Sequence, residues 1–398
     1  MQLLSGYPFW LIRDGLPFVY PALEDSIDTD VAIIGGGISG ALMAYFLAKA
    51  GIPAVVVDRH TIGLGSTCGS TSLLQYEIDV PLSQLMTKIG KEKAVRAYKL
   101  CESAIDLLKN ISDDIGFTSF RYKNSLFYAA RRSHKNLVKE EFIARKENGF
   151  DVELLSSREI REGYGIAAPS AILSHKAAET DAYAFTHALH QHAIQKGIQV
   201  YDRTTIEKID HRSADVVLHT DKGHTITARR LVFATGYETT QYIGKDIVSL
   251  KTTYAFASEQ VCQHSPFWKD EALIWSTGSP YLYMRTTEDR RIIVGGRDEA
   301  TIKTDYNRIL KMTERLVKDA HDLLPAISLK PEFSWAGIFA DTEDGLPYIG
   351  PYEKTPHSYF ALGFGGNGIT FSAIAAEMIT GMIRGTHVKD EDLFSFNR

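Results

Sequence analysis

The stretch from Thr29 to Asp58 constrains this chain more than any other. The apolar run Val31-Ala32-Ile33-Ile34 leads directly into Gly35-Gly36-Gly37-Ile38-Ser39-Gly40. An apolar run to Ala50 follows, then Ala54-Val55-Val56-Val57 and Asp58. This order reads as strand, glycine turn, helix, strand. Gly35, Gly37 and Gly40 have G-x-G-x-x-G spacing, and Asp58 follows Gly40 by 18 residues. The first glycine suits a sharp turn, the second lets backbone approach a pyrophosphate, and the third lets helix pack closely on strand. The helix start offers free N–H groups and a positive dipole end. Asp58, closing the second strand, suits ribose hydroxyls. Two other readings compete: a glycine turn that serves packing alone, and a membrane span, because Val31 to Ala48 carries no charge. Three consecutive glycines, with helical periodicity only after them, oppose a span. Glu24, Asp25, Asp28 and Asp30 just upstream oppose a secretory signal. The motif alone does not separate FAD from NAD.

The whole chain is long enough for two or three domains: 398 residues, 44% hydrophobic. Lys+Arg 44 against Asp+Glu 49 gives a net charge of −5, with no basic block for nucleic acid or anionic lipid. Cys68, Cys101 and Cys262 lie far apart. They indicate neither a zinc site nor a disulfide framework, which suits a reducing cytoplasm. Residues 1–28, with Tyr7-Pro8-Phe9-Trp10 and Pro17-Phe18-Val19-Tyr20-Pro21, read as an irregular arm covering apolar surface.

Beyond Asp58, Arg59 to Ser72 is a loop of glycines and hydroxyl residues, including Ser66, Thr67 and Thr71, that presents donors at low steric cost. Helical spacing predicts one long helix over Gln84–Asn110, a strand over Ser125–Ala130 and a helix over Arg132–Asn148. A helix over Ala182–Lys196 is expected to end at Gly197. It carries His187, His190 and His192, which read as solvated or helix-face residues because no Cys or carboxylate stands at matching spacing. Val216–His219 and Thr225–Thr227 form a hairpin, and Leu231 to Phe233 is a buried strand before Ala234-Thr235-Gly236. Val248–Phe256, Tyr281–Arg285 and Arg291–Gly296 suggest a largely antiparallel second sheet. Finally, Ser358–Leu362, Gly363-Phe364-Gly365-Gly366-Asn367-Gly368 and Ile369–Arg384 repeat the strand, glycine turn, helix pattern. A second helix start can stabilise negative charge on a reduced flavin, which favours FAD over NAD.

With these stretches in view, the chain resembles the FAD-dependent oxidoreductases of the D-amino-acid oxidase, glycine oxidase and sarcosine oxidase group. The resemblance rests on Asp30–Asp58, Gly63–Ser72, Phe233–Gly236 and Trp335–Gly368. The last contains Asp344-Gly345-Leu346-Pro347-Tyr348-Ile349-Gly350, similar to the family's Asp-Gly-x-Pro-x-x-Gly signature. It implies an α/β fold: a Rossmann-like FAD domain from segments 1–90, 150–245 and 340–398, with an α+β substrate domain from 91–149 and 246–339. It implies non-covalent FAD. Gly35, Gly37, Ser39 and Gly40 would hold the pyrophosphate, Asp58 would lie at the ribose, Ser66 and Thr67 would lie at the phosphate side, and Arg59 and Thr71 would also bind the cofactor. Thr235 and Gly236 would line the nucleotide, and Asp344, Gly345, Gly366, Asn367, Gly368 and Ile369 would meet the flavin. It also implies oxidation of a C–N bond in a small amine or amino acid by hydride transfer to flavin N5, with oxygen as acceptor. A dehydrogenase serving a quinone or carrier protein, and a flavin-binding redox sensor, are the alternatives.

The chain departs from the family pattern where substrate is held. Many members carry Arg-Pro before the Asp-Gly signature, the Arg gripping a carboxylate. Here Ile338-Phe339-Ala340 stands instead. No cysteine follows Cys262 to tether flavin, and Ile292 or Ile293 occupies the place of an oxygen-activating lysine. Strand alternation puts Tyr281, Tyr283 and Arg285 on one face, which makes Arg285 the leading substitute clamp and Arg297 the second. The competing reading pairs Arg285 with Glu288 or Asp289.

Overall fold

The structure, a computed structural model, describes residues 3–244, 247–263, 265–302 and 304–398. The expected domain boundary between 245 and 246 therefore lies outside the described residues. Within them the strands form one 10-stranded and one 8-stranded sheet.

The smaller sheet is built on the opening unit. Ile27–Ile34 pairs in parallel with Ala54–Val57 on one side and Thr225–Phe233 on the other. Gln199–Tyr201 and Ser358–Leu362 extend this parallel core. Val31, Ala32, Ile33, Val55, Val56 and Val57 are fully buried, as expected of strands covered on both faces. Helix Ile38–Lys49 crosses between the first two strands and packs beside helices Ala182–Gln195 and Gly368–Ile383.

The larger sheet is mixed, and its one parallel pair joins Leu273–Ser276 to Arg121–Tyr128. Its other pairings are antiparallel, including Ser249–Ser258 with Ile292–Glu299 and Pro331–Asp341. Val152–Ser156, Ser170–Glu179 and Leu73–Gln75 also belong to this sheet, although they fall in segments assigned from sequence to the nucleotide fold. The arm is more regular than expected: Leu4–Gly6 adds a strand against Pro331–Asp341, and Phe9–Asp14 forms a helix whose Phe9 and Trp10 are buried.

The long helix expected over Gln84–Asn110 is two helices, Leu82–Ile89 and Lys91–Asp114. Gly90 separates them with φ +89°, a value glycine adopts without the strain a Cβ brings. Helix Ala182–Gln195 begins at Asp181, whose carboxylate accepts the Ala184 N–H at 2.9 Å. Two of its three histidines are not solvated, and His192 is half-buried. His187 and His190 are buried; His187 Nδ1 meets the Tyr20 hydroxyl at 2.9 Å, and His190 Nε2 donates to the Gly36 carbonyl at 3.0 Å.

Burial lowers both imidazoles to about 4. Their folded pKa therefore lies below the unfolded value near 6.5, so the stability they contribute is present above that value and lost as pH falls toward 4. The stability advantage of wild type over His190→Gln is expected to shrink as pH drops from 7.5 to 4.5, read by urea midpoints. A difference that stays constant with pH would show that His190 does not carry this term.

Candidate functional site

A cavity of about 1210 Å³ lies between the two sheets. That exceeds the roughly 300–1,000 Å³ of a typical small-ligand pocket, leaving room for an extended dinucleotide and a second small molecule. One end is the opening glycine turn. Gly35 turns with φ +109°, and a Cβ there would stand 2.4 Å from the Ala234 carbonyl oxygen. A Cβ on Gly40 would stand 1.9 Å from the Gly35 carbonyl oxygen, so helix and turn touch backbone to backbone. Gly37 lines the cavity, and its missing Cβ would fall 2.8 Å from Thr67 Oγ1.

Asp58 lies beside this turn. Its two oxygens accept the Gly36 N–H at 2.7 Å and the His60 N–H at 2.8 Å. Burial raises its pKa, and those two N–H groups work against the rise. Thr67 Oγ1 takes the Ile38 N–H at 3.0 Å, and Ser39 Oγ meets Ser372 Oγ at 2.7 Å, tying helix Ile38–Lys49 to helix Gly368–Ile383. Ser66 Oγ is buried beside the cavity with no hydrogen-bond partner among the described residues. The loop that carries these residues is fastened by two indoles. Trp10 Nε1 donates to the Ser70 carbonyl at 2.6 Å, and Trp335 Nε1 to the Gly69 carbonyl at 2.8 Å. Arg59, Thr71, Thr235 and Gly236 line the same end or its walls, with Arg59 paired to Glu238 at 2.6 Å.

The second glycine turn closes the cavity from the far end of the chain. Gly366, Asn367, Gly368 and Ile369 all line it. Asn367 Nδ2 donates to the carbonyls of Gln75 and Glu77 at 3.0 and 2.9 Å, seating the start of helix Gly368–Ile383 on the strand after the hydroxyl loop. The opposite wall comes from the larger sheet: Lys251, Thr253, Tyr281, Tyr283, Asp298, Gly337, Ile338, Phe339 and Asp341. At Gly337 a Cβ would meet nothing within 4 Å, so bare backbone faces open space.

Three expected site residues lie elsewhere, and one acts only through packing. Gly40 does not face the cavity; it lets the helix approach Gly35. Asp344 and Gly345 are off the cavity. Asp344 binds Arg398 at 2.8 and 3.0 Å and caps the Leu346 N–H at 3.0 Å, while Gly345, φ +77°, makes the turn. The Asp-Gly signature here shapes a corner. Arg285 is buried beyond the cavity, its guanidinium donating to the carbonyls of Ser72 at 2.8 Å and Thr180 at 3.0 Å with Glu179 3.6 Å away. Tyr281 and Tyr283 do face the cavity, ring centroids 5.5 Å apart. Alternation placed the three residues on one face, but the long Arg285 side chain reaches past the cavity to backbone oxygens. Arg297 is also committed, to Asp319 at 2.6 and 2.8 Å.

Sequence reasoning missed Asp79, Lys251, Asp298 and Asp341. Lys251 is ion-paired with Asp341, which raises its pKa. Asp79 Oδ2 accepts the Gly366 N–H at 2.7 Å. Burial, with the charges of Asp341 and Asp298, pushes Asp79 up to about 6. Asp298 and Lys251 lay within or beside strands already expected, so alternation carried a usable signal. Asp79 stands in Glu77-Ile78-Asp79-Val80-Pro81, which has no local pattern.

These residues fit FAD: two helix starts face one cavity, Gly37 and Gly337 leave room for close approach, and Ser66 offers an unsatisfied hydroxyl. Comparison with known proteins agrees. The FAD dependent oxidoreductase family matches residues 30–382. A glycine oxidase of Bacillus licheniformis is 27% identical over 375 residues, covering 92% of this chain and 96% of that protein. A putative Rieske 2Fe-2S iron-sulfur protein of Bacillus subtilis (strain 168) is 24% identical over 400 residues, covering 98% of this chain and 75% of that protein. The crystal structure of glycine oxidase from Geobacillus kaustophilus shares the fold with TM-score 0.81 at 20% identity, covering 93% and 99% of the two chains. The chain belongs to the FAD dependent oxidoreductase family, and FAD is its cofactor. Among the described residues, no helix is long and apolar enough to cross a membrane.

Proposed function

We propose that this protein oxidises the C–N bond of a small amine or amino acid to an imine, with dioxygen as the electron acceptor. The single observation that carries this reading is the continuous cavity. It joins a dinucleotide-shaped end at Gly35, Gly37 and Asp58 to an aromatic, polar end at Tyr281, Tyr283 and Asp79. In this reading the smaller sheet and its helices bind FAD, and the larger sheet supplies the substrate wall. Gly37, Ser39 and Thr67 take the pyrophosphate side, Asp58 and Arg59 the ribose side, and Gly366 to Ile369 the flavin end.

Bound there, FAD supplies a two-electron hydride acceptor. The chain's own residues have the remaining tasks. Tyr281 and Tyr283 orient the substrate, and burial keeps both phenols neutral by raising their pKa. Asp79, held up near 6, places a carboxylate at that end of the cavity. Ile338, Phe339 and Phe364 exclude water from that end.

The test is turnover. Incubation with a panel of amines and D- and L-amino acids is expected to yield hydrogen peroxide in step with carbonyl product for at least one of them. Product formed only when a quinone or carrier protein is added would replace dioxygen as acceptor. The glycine oxidase likeness supports an amino acid among the candidates.

The same reading holds the cofactor without a covalent bond. Cys68, buried and bonded to the Gly65 carbonyl at 3.4 Å, is turned off the cavity. Acid precipitation of the holoenzyme is expected to leave a yellow supernatant and a colourless pellet. Flavin retained on the pellet would point to a tether, with His60, which lines the cavity, the first residue to examine.

A further inference from the structure

The substrate end of the cavity is negatively charged. Asp79, Asp298 and Asp341 face it, against the single ammonium of Lys251, which is already paired with Asp341. The guanidinium groups nearest in sequence turn elsewhere: Arg285 to the Ser72 and Thr180 carbonyls, Arg297 to Asp319. At Arg297, φ +56°, the backbone sends that side chain outward while the next residue, Asp298, lines the cavity. No uncommitted cation stands on this wall among the described residues. A carboxylate-bearing ligand placed here would meet like charge.

Two polar groups of this end have hydrogen-bonding capacity that the described residues leave unused. Asp79 lines the cavity; one of its oxygens takes the Gly366 N–H and the other accepts no hydrogen bond from the described residues. The Tyr281 phenol, likewise inside the fold, makes no hydrogen bond there. The Gly365 and Gly366 Cβ positions would fall 2.4 and 2.7 Å from Asp79 oxygens, so the glycines leave that carboxylate room to approach their backbone. Tyr281, Tyr283, Trp275 and Phe364 line the same cavity, and aromatic rings attract cations to their faces. The free oxygen of Asp79, the Asp298 carboxylate with no ion pair among the described residues, an unbonded phenol and aromatic rings together form a receptor for an alkylammonium.

We propose that the substrate is a diamine or polyamine, with no carboxylate near its reacting carbon, whose distal ammonium is held by Asp79 and Asp298 against the Tyr281–Tyr283 wall. This rests on the reading of the cavity as an amine-oxidising site and names its substrate class. Asp79 and Asp298 are then the specificity-determining residues, and Lys251–Asp341 is a closed pair beside them.

The experiment is calorimetric titration of the holoenzyme, under argon, with three ligands of equal carbon-chain length: putrescine, butylamine and γ-aminobutyrate. Putrescine is expected to bind about tenfold or more tighter than butylamine, the scale of one desolvated charge pair, and γ-aminobutyrate weakest of the three. Asp298→Asn, and separately Asp79→Asn, should bring putrescine toward butylamine while flavin content stays at the wild-type level. Binding of γ-aminobutyrate as tight as putrescine overturns the proposal. So does a putrescine preference that survives both substitutions. The two readings fail separately. Putrescine bound with the expected preference but never oxidised would refute the oxidation reading and leave the receptor standing. An α-amino acid that reduces the flavin, with no putrescine preference, would refute the receptor and leave oxidation standing.

Discussion

Gly40→Ala is expected to purify almost free of flavin. The added methyl would start 1.9 Å from the Gly35 carbonyl oxygen, and both groups are backbone-bound. Overpacking costs about 1–3 kcal/mol even where side chains can shift. Here relief requires the helix to move off the very turn that approaches the pyrophosphate. An FAD affinity about a hundredfold weaker corresponds to about 2.7 kcal/mol at that turn. The measurement is the ratio of flavin to protein absorbance after gel filtration, with added FAD restoring it only at high concentration. Wild-type flavin content in a purified Gly40→Ala protein would mean that helix and turn can separate without cost, and that the turn does not set affinity. Gly40 does not touch the cavity, so the same result would separate its packing role from direct contact by Gly37.

The second large effect concerns a buried charge network behind the cavity wall. Arg145 is fully buried, donating to Glu141 at 2.7 Å and Glu77 at 3.1 Å, both also fully enclosed. Glu141 in turn accepts the N–H groups of Leu82 and Ser83 at 2.9 and 2.8 Å. Glu77 accepts the Ser174 hydroxyl at 2.7 Å, and its backbone carbonyl takes Asn367. One side chain thus ties helix Lys135–Glu147 to the loop segment that carries Asp79. Arg145→Met would leave two carboxylates buried without their cation, and breaking such a pair costs about 3–5 kcal/mol. Urea unfolding should register that loss. The exposed pair Arg158–Glu162, side chains 84% and 62% open, is the control: its removal should barely move the midpoint. A shift under about 1 kcal/mol for Arg145→Met would show that the two carboxylates can take up protons or water at little cost.

Much of the fold was legible because its determinants are local. The Thr29–Asp58 unit holds strand, turn, helix and acid within 30 consecutive residues, and the structure reproduces each. The Ser358–Leu362 strand and the helix after it were legible for the same reason. Strand Ser170–Glu179 was not. Its first five residues are buried on both faces and its second half is Lys-Ala-Ala-Glu, so no alternation marks it. Helix Tyr306–Leu323 went unread as well, although its signal was plain: Asp305 caps the Arg308 N–H, and Ile309, Met312, Leu316 and Ala320 form its buried stripe.

The site divides in the same way. Residues bound to a glycine turn could be placed from spacing, because backbone geometry fixes them. Arg285 could be assigned to a face but not to a partner, since a long side chain on the right face still chose two backbone carbonyls over the cavity. Asp344 kept the family spelling yet ended against Arg398. The acidic character of the substrate end appears only when loop residue Asp79 meets Asp298 and Asp341 from two strands distant in sequence.

Anaerobic mixing of the holoenzyme with a panel of diamines, monoamines and D- and L-amino acids tests the central claim most directly. The account predicts that the visible absorbance of the bound flavin bleaches with at least one member and returns when air is admitted. A flavin that dithionite reduces, but that every amine and amino acid in the panel leaves oxidised, would contradict it.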